Sequence, residues 1–483
     1  MKVCVLQPDY SSSTVDYRHY DPPRDLCPLL PGHTVHHVML DKRTTHAQLK
    51  RLSGDDYDIF VNLCEGYLDW DVPSIDVIDS LERLGLPYTG PTLALYDPSK
   101  SLMKYVAHTA GVRTPSHLLV PRGHTGSLST HGLRYPLFVK PAHAGDSLGI
   151  DEHSLVLDES ALNRQVDSTL RIHGDALVEE YVDGREFTVL VMAGVEPGDD
   201  ATALAPVEYL FPTGTAYKTY ALKTSELHPA ANIAVTDHAL AHRLREAARH
   251  VFRAFDGVGY ARMDFRLDAH GALFFLEVNF TCSVFYPPGS EGSADHILAL
   301  DGLGQSGFAS HIIAEGIARH RRAQKPWEMR GNSIAGYGIF ATKDLADGDV
   351  VFRGEGRPHR IVTAREVSTR WTAAEQRTFR QYAYPLSDEL YALWDNDPTA
   401  WAPQNHSCEA NTAFVGLNVV ASRRIVAGEE LTLDYAGFMN EQGESFACCC
   451  GTAQCRGTVS GTAGNSVTAR EAALATGPAA PPA

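Results

Sequence analysis

Residues 260–280 read YARMDFRLDAHGALFFLEVNF, and this stretch decides the fold of the first part of the chain. Two strand-like runs flank the turn-forming tetrapeptide Asp-Ala-His-Gly, which predicts a β-hairpin. If the chain turns about residues 270–271, Asp264 lies directly opposite Glu277 on the two strands. Aromatic residues on both runs favour burial of the hairpin.

The predicted register places two like charges face to face, which destabilises a ladder unless something neutralises them. Asn279 is two residues beyond Glu277 and therefore shares its face, opposite Arg262. Mg²⁺ prefers such oxygen ligands and commonly keeps phosphate partners. We therefore predict a magnesium site at Asp264, Glu277 and Asn279, with an ordinary acidic surface hairpin as the alternative.

Two further segments are compatible with a nucleotide site. In FVKPAHAGDSLGI, Lys140 follows a strand and precedes a loop with Gly145 and Gly149, whose N–H groups could face phosphate. A glycine-containing surface loop explains this segment equally well. In ALVEEYVDGREFTVLV, Glu179 and Glu186 lie near the ends of two strands, where a carboxylate could hold sugar hydroxyls.

Residues 1–325 resemble the ATP-grasp superfamily, and most of all the D-alanine–D-alanine ligases. The run LGLPYTGPTLALYDPSKSLMKYVAHTAGVRTP is similar to the family segment that leads into the central domain. The resemblance implies ATP and Mg²⁺. By position it implies that Lys100 and Lys140 contact the ATP phosphates, that Lys223 covers the triphosphate, and that Glu179 and Glu186 lie at the adenine and the ribose. It further implies that Asp264, Glu277 and Asn279 bind the metal and that Arg262 lies near the acyl phosphate.

The implied reaction joins a carboxylate to an amine through an acyl phosphate. The substrate side departs from the family. The Gly-Gly-x-Ser-x-Glu loop is missing, and Asp146, Thr224 and Ser283 replace the serine, tyrosine and glycine of the family. We therefore do not predict cell-wall dipeptide synthesis. Asp146 could meet a substrate amine or simply cap its loop.

The second part of the chain is marked by clustered cysteines. Five of the nine cysteines lie between residues 408 and 455, and an odd, clustered count without a secretory signal favours metal over disulfides. Cys448, Cys450 and Cys455, with Cys408 as the fourth ligand, predict a tetrahedral zinc site. Cys449 would point away, and thiols packed in a core are the alternative.

Residues 327–457 resemble a SET-domain methyltransferase with a post-SET zinc site. The resemblance is carried by GYGIFATKDLADGDVV (336–351), NHSCEAN (405–411) and AGEELTLDY (427–435). It implies S-adenosylmethionine as cofactor, a Gly-x-Gly strand that approaches it, an Asn-His pair that contacts it and a catalytic tyrosine. These residues are Gly336, Tyr337, Gly338, Asn405, His406 and Tyr435.

Tyr382, Tyr384 and Tyr391 are candidates for lining the methyl-acceptor channel, although tyrosines more often serve packing. The segment before the Asn-His pair lacks the usual Arg-Phe. Leu433 occupies a position that is Phe or Tyr in many relatives and is tied to the number of methyl groups added.

The composition is that of an ordinary folded protein, with 44% hydrophobic and 21% charged residues. It excludes a mainly disordered chain, and no apolar run approaches the ~18 residues of a membrane span. The net charge of −17 disfavours general nucleic-acid binding. We expect a cytoplasmic protein without membrane attachment, and a homodimer is compatible with the sequence.

The expected fold is an α/β ATP-grasp region of three subdomains, followed by a mostly-β SET domain with a small zinc-bound post-SET segment. The expected boundaries are 1–325, 326–461 and a disordered tail at 462–483. We predict a bifunctional ligase and N-methyltransferase that acts on a small carboxylate, an amine and a methyl acceptor, which is a small molecule or a peptide or protein lysine. The alternatives are a protein-lysine methyltransferase with an ATP-grasp binding module, or a ligase with a SET scaffold.

Overall fold

The protein is described from a computed structural model. The structure describes residues 1–14, 21–66, 70–126, 128, 130, 132–143, 147–196, 198–212, 217, 219, 231–332, 336–355, 360–393 and 402–462. The chain divides into two compact units, Met1–Ala323 and Gln324–Ala483, called here the first and the second unit. Among the described residues, no helix is long and apolar enough to cross a bilayer.

The first unit alternates strands and helices through most of its length, as the sequence predicts. Its elements in chain order are β1 (Lys2–Pro8), β2 (Thr34–Leu40), α1 (Thr45–Leu52), β3 (Ile59–Asn62), α2 (Ile75–Arg83), α3 (Lys100–Thr109), β4 (His117–Val120), β5 (Leu137–Pro141), β6 (Leu155–Val156), α4 (Glu159–His173), β7 (Ala176–Glu180), β8 (Gly184–Met192), β9 (Thr202–Ala203), β10 (Val207–Tyr209), β11 (Asn232–Ala234), α5 (His238–Ala254), β12 (Tyr260–Asp268), β13 (Leu273–Asn279), α6 (Ser293–Asp301) and α7 (Gly304–Ala323).

These strands form three sheets. A parallel sheet has the order β2-β1-β3, and an antiparallel sheet has the order β4-β7-β5-β6. The third sheet runs β11-β10-β8-β12-β13, with β9 beside β8. Helix α5 packs its apolar face against this third sheet, because Leu240, Leu244 and Val251 share a buried cluster with Phe265 and Phe275.

The hairpin of β12 and β13 has the predicted pairing at its functional end. Asp264 lies opposite Glu277, and Arg262 lies opposite Asn279. Near the turn the register differs by one residue, because Phe265 pairs with Phe275 and Leu276 is left over as a β-bulge. The turn is therefore centred on residue 270 rather than between residues 270 and 271.

Two helices of the first unit begin in different ways. Helix α2 has no side-chain cap, because the Ser74 hydroxyl donates to the Asp76 carboxylate at 3.2 Å. Helix α5 is capped by Asp237, whose side chain accepts hydrogen bonds from the backbone N–H groups of Ala239 and Leu240. An acidic side chain at a helix start is a favourable cap.

The second unit is mostly β. Its elements are β14 (Trp327–Asn332), β15 (Gly336–Ala341), β16 (Val350–Phe352), β17 (Arg360–Thr363), α8 (Ala364–Arg370), α9 (Ala373–Tyr382), β18 (Tyr384–Pro385), β19 (Leu390–Leu393), β20 (Asn405–His406), β21 (Thr412–Val415), β22 (Asn418–Ala421), β23 (Glu430–Leu433), β24 (Phe446–Ala447) and β25 (Thr458–Val459).

Its largest sheet has the order β14-β15-β23-β21-β22-β16, and the short strand β20 pairs in parallel with β23. This pairing fixes the Asn-His pair beside the strand that leads into Tyr435. Separate small sheets consist of β17-β19-β18 and of β24-β25. The buried core of the unit includes Trp327, Ile339, Leu431 and Leu433.

Candidate functional site

The first candidate site lies on one face of the β8-β12-β13 sheet. Asp264 is paired with Glu277 on one side and with Thr188 on the other, so the three side chains share a face. One carboxylate oxygen of Asp264, Oδ2, accepts from Arg262 Nη2 at 3.2 Å. The other oxygen, Oδ1, is buried and has no hydrogen-bond partner within the described part of the chain, and neither do Thr188 Oγ1 and Asn279 Nδ2.

A buried carboxylate oxygen without a donor is rare in folded proteins unless a ligand completes it. Here the orphaned oxygen belongs to a residue that is paired directly with a second acidic residue, Glu277, in the same sheet. The donors are hard oxygens, which suit Mg²⁺ better than a softer metal. The residues present therefore fit a divalent cation bound with phosphate.

Three lysines surround two of the predicted acids. Glu179, near the end of β7, contacts Lys104 Nζ through one oxygen and Lys140 Nζ through the other, each at 2.6 Å. Lys100 Nζ lies 3.8 Å from Glu277 Oε2. Lys104 was not predicted from the sequence, although it lies one helical turn after Lys100 on α3 and so shares its face.

These groups are buried, and their charges are set by one another. Burial favours the neutral form of Glu179, but Lys104 and Lys140 outweigh it and hold the pKa of Glu179 at about 2. Burial lowers the pKa of Lys104 to about 8 despite the nearby carboxylate. Burial also opposes the charge of Lys140, but Glu179 and Glu277 raise its pKa. Lysines kept charged in this way are suited to binding phosphate.

The predicted ribose acid, Glu186, also has a partner that the sequence analysis missed. Its Oε2 accepts from Arg266 Nε at 3.2 Å, and the Arg266 guanidinium stacks over the Tyr181 ring with its carbon 5.0 Å from the centroid. Two other predicted residues, Lys223 and Asp146, lie outside the described residues.

The second candidate site is in the second unit, where β20 meets β15 and β23. Asn405 Nδ2 donates to the backbone oxygen of Tyr337 and to Glu430 Oε1, each at 2.8 Å. A methyl group at Gly338 would contact the Glu430 carboxylate, so a larger residue here would displace the side chain that accepts from Asn405. Both amide donors of Asn405 are thus used within the protein, which leaves its Oδ1 as an acceptor for a cationic group.

His406 connects this strand to the tyrosine and to the cysteines. Its Nδ1 accepts from the backbone N–H of Tyr435 at 3.2 Å, so Nε2 carries the proton and faces Cys408 Sγ at 3.3 Å. The Tyr435 hydroxyl donates to the backbone oxygen of Gln404 at 2.6 Å. Burial raises the pKa of Tyr435 to about 12, so this hydroxyl stays protonated at neutral pH.

The four cysteines nominated from the sequence are brought together. The sulfurs of Cys408, Cys448, Cys450 and Cys455 all lie within 4.8 Å of one another. The Cys408 and Cys448 sulfurs are 3.8 Å apart, close to the ~3.8 Å expected for two thiolates on a tetrahedral Zn²⁺ at ~2.3 Å. Cys449 is exposed and lies outside this group. The donor set fits zinc.

An apolar cavity of about 70 Å³ adjoins Tyr435. The three candidate channel tyrosines all line it, together with Leu433. They are Tyr382, Tyr384 and Tyr391. Two of them are also held by hydrogen bonds, since Tyr384 donates to the Gly416 carbonyl at 3.0 Å and Tyr391 accepts from Asn440 at 2.7 Å.

Comparison with known proteins agrees with this geometry. The family model described as D-ala D-ala ligase C-terminus matches residues 122–286. A D-alanine–D-alanine ligase of Oleidesulfovibrio alaskensis is 30% identical over 254 residues, which are 51% of this chain and 75% of that ligase. The chain belongs to the D-alanine–D-alanine ligase family. A second relative, the "Uncharacterized protein y4sG" of Sinorhizobium fredii, is 32% identical over 301 residues, 60% of this chain and 79% of that protein.

The ATP-grasp fold of the family is also the fold of this chain. A D-alanine–D-alanine ligase of Bacillus anthracis complexed with ATP matches with a TM-score of 0.50 and 17% identity, over 67% of this chain and all of that one. Several other ligases of the family are matched over only about three fifths of their length, for example 61% in Mesorhizobium japonicum and 60% in Bordetella petrii.

The second unit contains a SET domain. The family model described as SET domain matches residues 336–436, which include the Gly-x-Gly strand, the Asn-His pair and Tyr435. The four-cysteine group extends beyond this match at its C-terminal side, as far as Cys455.

Proposed function

We propose that the protein is a bifunctional enzyme. The first unit joins a carboxylate to an amine with ATP through an acyl phosphate, and the second unit transfers a methyl group from S-adenosylmethionine to a nitrogen. The observation that carries the proposal is the sheet face that combines an orphaned Asp264 oxygen, a facing Glu277 and buried lysines. A structural module would have no need for this arrangement.

In the ligase reaction, the side chains of the first unit bind and orient charge. Lys100, Lys104 and Lys140 hold phosphate oxygens. Asp264, Glu277 and Asn279 would hold magnesium, which neutralises the charge that moves with the phosphoryl group. The substrate carboxylate attacks the γ-phosphate, and the amine then displaces phosphate from the acyl phosphate.

Two further residues complete this proposal for the first unit. Arg262, held by Asp264 at 3.2 Å, stabilises the oxyanion of the second step. Lys223 covers the triphosphate, and Glu179 and Glu186 lie toward the adenine and the ribose. Because Ser283 and Asp146 replace family residues on the substrate side, the carboxylate substrate is a small molecule other than D-alanine.

In the methyl transfer, the second unit orients two reactants. The Gly336–Tyr337–Gly338 segment, Asn405 and His406 bind S-adenosylmethionine, and Tyr435 orients the methyl group toward a neutral amine. The acceptor amine enters through the tyrosine-lined cavity. It belongs to a small molecule or to a peptide or protein lysine. Zinc held by the four cysteines would stabilise the segment that follows the Asn-His pair.

The proposed ligase-like region covers 1–325, and the proposed SET and post-SET region covers 326–461. The disordered tail predicted at 462–483 lies, apart from residue 462, outside the described residues. The enzyme acts in the cytoplasm, without membrane attachment or general nucleic-acid binding. Its high negative charge supports the last point, because phosphate backbones are repelled.

The ligase function is tested by incubating the full-length protein with ATP, Mg²⁺ and a panel of amino acids and other small carboxylates. We expect release of ADP and phosphate with at least one pair of substrates, and Glu277→Gln should abolish it. Glu152→Gln is the matched control, because Glu152 is exposed on a surface turn. Absence of ADP with every carboxylate, together with absence of ATP binding, would favour a binding module instead.

The methyltransferase function is tested by calorimetry with S-adenosylmethionine and zinc-replete protein. We expect one binding site per chain, weakened by Asn405→Ala because the bonds that link β20 to Tyr337 and Glu430 are lost. Asn418→Ala serves as the control in the same unit. If the cofactor does not bind, the SET unit is a scaffold.

A further inference from the structure

The cavity of the second unit contains one polar side chain that its surroundings do not explain. Gln404 lines the cavity, is only 3% exposed, and has a side-chain nitrogen, Nε2, without a hydrogen-bond partner among the residues that the structure describes. Its neighbours in the cavity wall include Phe352, Leu433 and Phe438, which offer no acceptor in their side chains. Buried donors without an acceptor are rare, so this position calls for a ligand or for another orientation of the amide.

The contacts of Thr412 decide the orientation. Its hydroxyl lies 2.7 Å from the backbone oxygen of Thr432 and also contacts the side-chain oxygen of Gln404. A hydroxyl has a single proton, and a backbone carbonyl can only accept, so the proton lies between Thr412 and Thr432. The remaining contact then needs a donor on Gln404. The oxygen and nitrogen of an amide have the same shape, and exchanging them makes Nε2 donate to Thr412.

This exchange places the side-chain oxygen of Gln404 where the unpartnered nitrogen stood. Gln404, a residue of the cavity wall, then has a buried side-chain oxygen without a donor among the described residues, while its amide nitrogen is held by Thr412. The backbone oxygen of the same residue accepts the hydroxyl of Tyr435 at 2.6 Å. Gln404 thus bonds to Tyr435 through its main chain and presents a second oxygen through its side chain.

We propose that the side-chain carbonyl of Gln404 accepts a hydrogen bond from an N–H of the methyl-acceptor amine. The inference rests on the proposed methyl transfer by the second unit. The methyl acceptors are then primary and secondary aliphatic amines, because these keep an N–H bond for Gln404 while their lone pair faces the methyl group. In the step, the N–C bond forms, the C–S bond breaks, the electron pair remains on sulfur, and the surplus proton on nitrogen leaves to solvent.

The number of N–H bonds then limits the number of methyl groups. A primary amine can bond to Gln404 during the first transfer, and a secondary amine can still do so during the second. A tertiary amine has no N–H left. We therefore expect the third transfer to be about tenfold slower than the second, the size expected for one lost hydrogen bond in a buried site.

The assignment is tested without knowledge of the natural acceptor. The probes are n-butylamine and its N-methyl, N,N-dimethyl and N,N,N-trimethyl derivatives, titrated by ligand-observed NMR at pH 7 into full-length protein saturated with S-adenosylhomocysteine. We expect the three ions that keep an N–H to bind about tenfold more tightly than the trimethyl ion. In Gln404→Met, which has a similar shape and no carbonyl, the four ions should bind alike.

Gln442→Met is the matched control, since Gln442 is an exposed residue at the same cavity and should leave the preference intact. Thr412→Val should weaken the preference, because it releases the Gln404 amide. Equal binding of all four ions by the wild type, or a preserved preference in Gln404→Met, would overturn the role of Gln404 but not the methyltransferase function. Failure to bind S-adenosylhomocysteine would overturn the methyltransferase function with it.

Discussion

At the scale of single residues, the first unit shows how buried charges are kept ionised. Glu179 is 4% exposed and Lys104 is 1% exposed, yet both lie in one ion-pair cluster with Lys140. Burial alone would neutralise each group. Two cations around one carboxylate reverse that effect for the acid, and they leave one excess positive charge in the cluster for an anionic ligand.

The pH dependence of stability should report this cluster. The pKa of Glu179 is lowered to about 2, so its stabilising effect is present above its ordinary pKa of about 4 and is lost as the pH falls toward 2. We expect Glu179→Gln to lower the unfolding free energy by about 3 kcal/mol at pH 7, because two buried lysines lose their partner.

The measurement is urea unfolding of the full-length wild type and variant between pH 7 and pH 2.5. The difference between the two proteins should shrink below about pH 4, because protonated glutamate resembles glutamine. A difference that stays constant down to pH 2.5 would contradict the ion-pair account. Glu152→Gln, which changes an exposed acid, should be nearly neutral throughout.

At the scale of elements, helix α3 aligns two of the three lysines. Lys100 is its first residue and Lys104 follows one turn later, so the helix start determines where both ammonium groups lie. Ser99 caps this start by accepting a hydrogen bond from the backbone N–H of Leu102 at 3.3 Å. We expect Ser99→Ala to destabilise the protein by about 1 kcal/mol in urea unfolding.

The control for this change lies at the other end of the same helix. Thr109 donates to the Val106 carbonyl and satisfies no helix-start N–H. Thr109→Ala should therefore alter the unfolding free energy by no more than about 0.5 kcal/mol. If the two substitutions have equal effects, the cap has no special role.

The cysteine group gives a second prediction at this scale, because a neighbour in sequence provides the control. Cys450→Ser should lower the zinc content from about one ion per chain and weaken S-adenosylmethionine binding. Cofactor binding should weaken because His406, a proposed contact of S-adenosylmethionine, donates toward Cys408 of the same cysteine group. Cys449→Ser should leave both unchanged, since Cys449 is exposed and outside the group. Metal analysis and calorimetry measure the two effects.

The elements also show what the sequence could and could not predict. The pairing of Asp264 with Glu277 followed from the turn signal, yet the true turn is centred half a residue earlier and the Leu276 bulge restores the register. Neither shift could be predicted, because the bulge shows only in the three-residue spacing of the buried residues Phe275 and Val278, and every residue from Leu273 to Val278 except Glu277 is apolar. Gln404 was missed for another reason. Its meaning depends on the hydroxyl of Thr412, which is distant in sequence, and on a cavity assembled from several elements.

At the scale of the whole molecule, the two proposed activities belong to separate compact units. The charged sheet face belongs to the first unit, and the cavity and cysteine group belong to the second. We expect Glu277→Gln to abolish ADP formation without changing S-adenosylmethionine affinity. Asn405→Ala should do the reverse, and kinetics and calorimetry on the same two preparations check both statements. A loss of both activities in either variant would show that the units depend on each other.

The shared product is best sought in cells that express the full-length protein. Mass spectrometry of metabolites, compared among wild type, Glu277→Gln and Asn405→Ala, should reveal a compound that loses its amide bond in the first variant and only its methyl group in the second. If the metabolites of Asn405→Ala are the same as those of the wild type and still contain the amide, the result supports the ligase function and contradicts the methyl transfer.

The face-to-face acids on β12 and β13 have a consequence for how nucleotide arrives. In the proposed ligase reaction, uncomplexed ATP would bring its terminal phosphates to two fixed carboxylates, whose repulsion opposes the attraction of the nearby lysines. A cation carried by the nucleotide would be attracted by the same carboxylates. We therefore expect this sheet face to favour the magnesium complex, and excess free ATP should act as a weak competitor at most, even when it outnumbers the complex in solution.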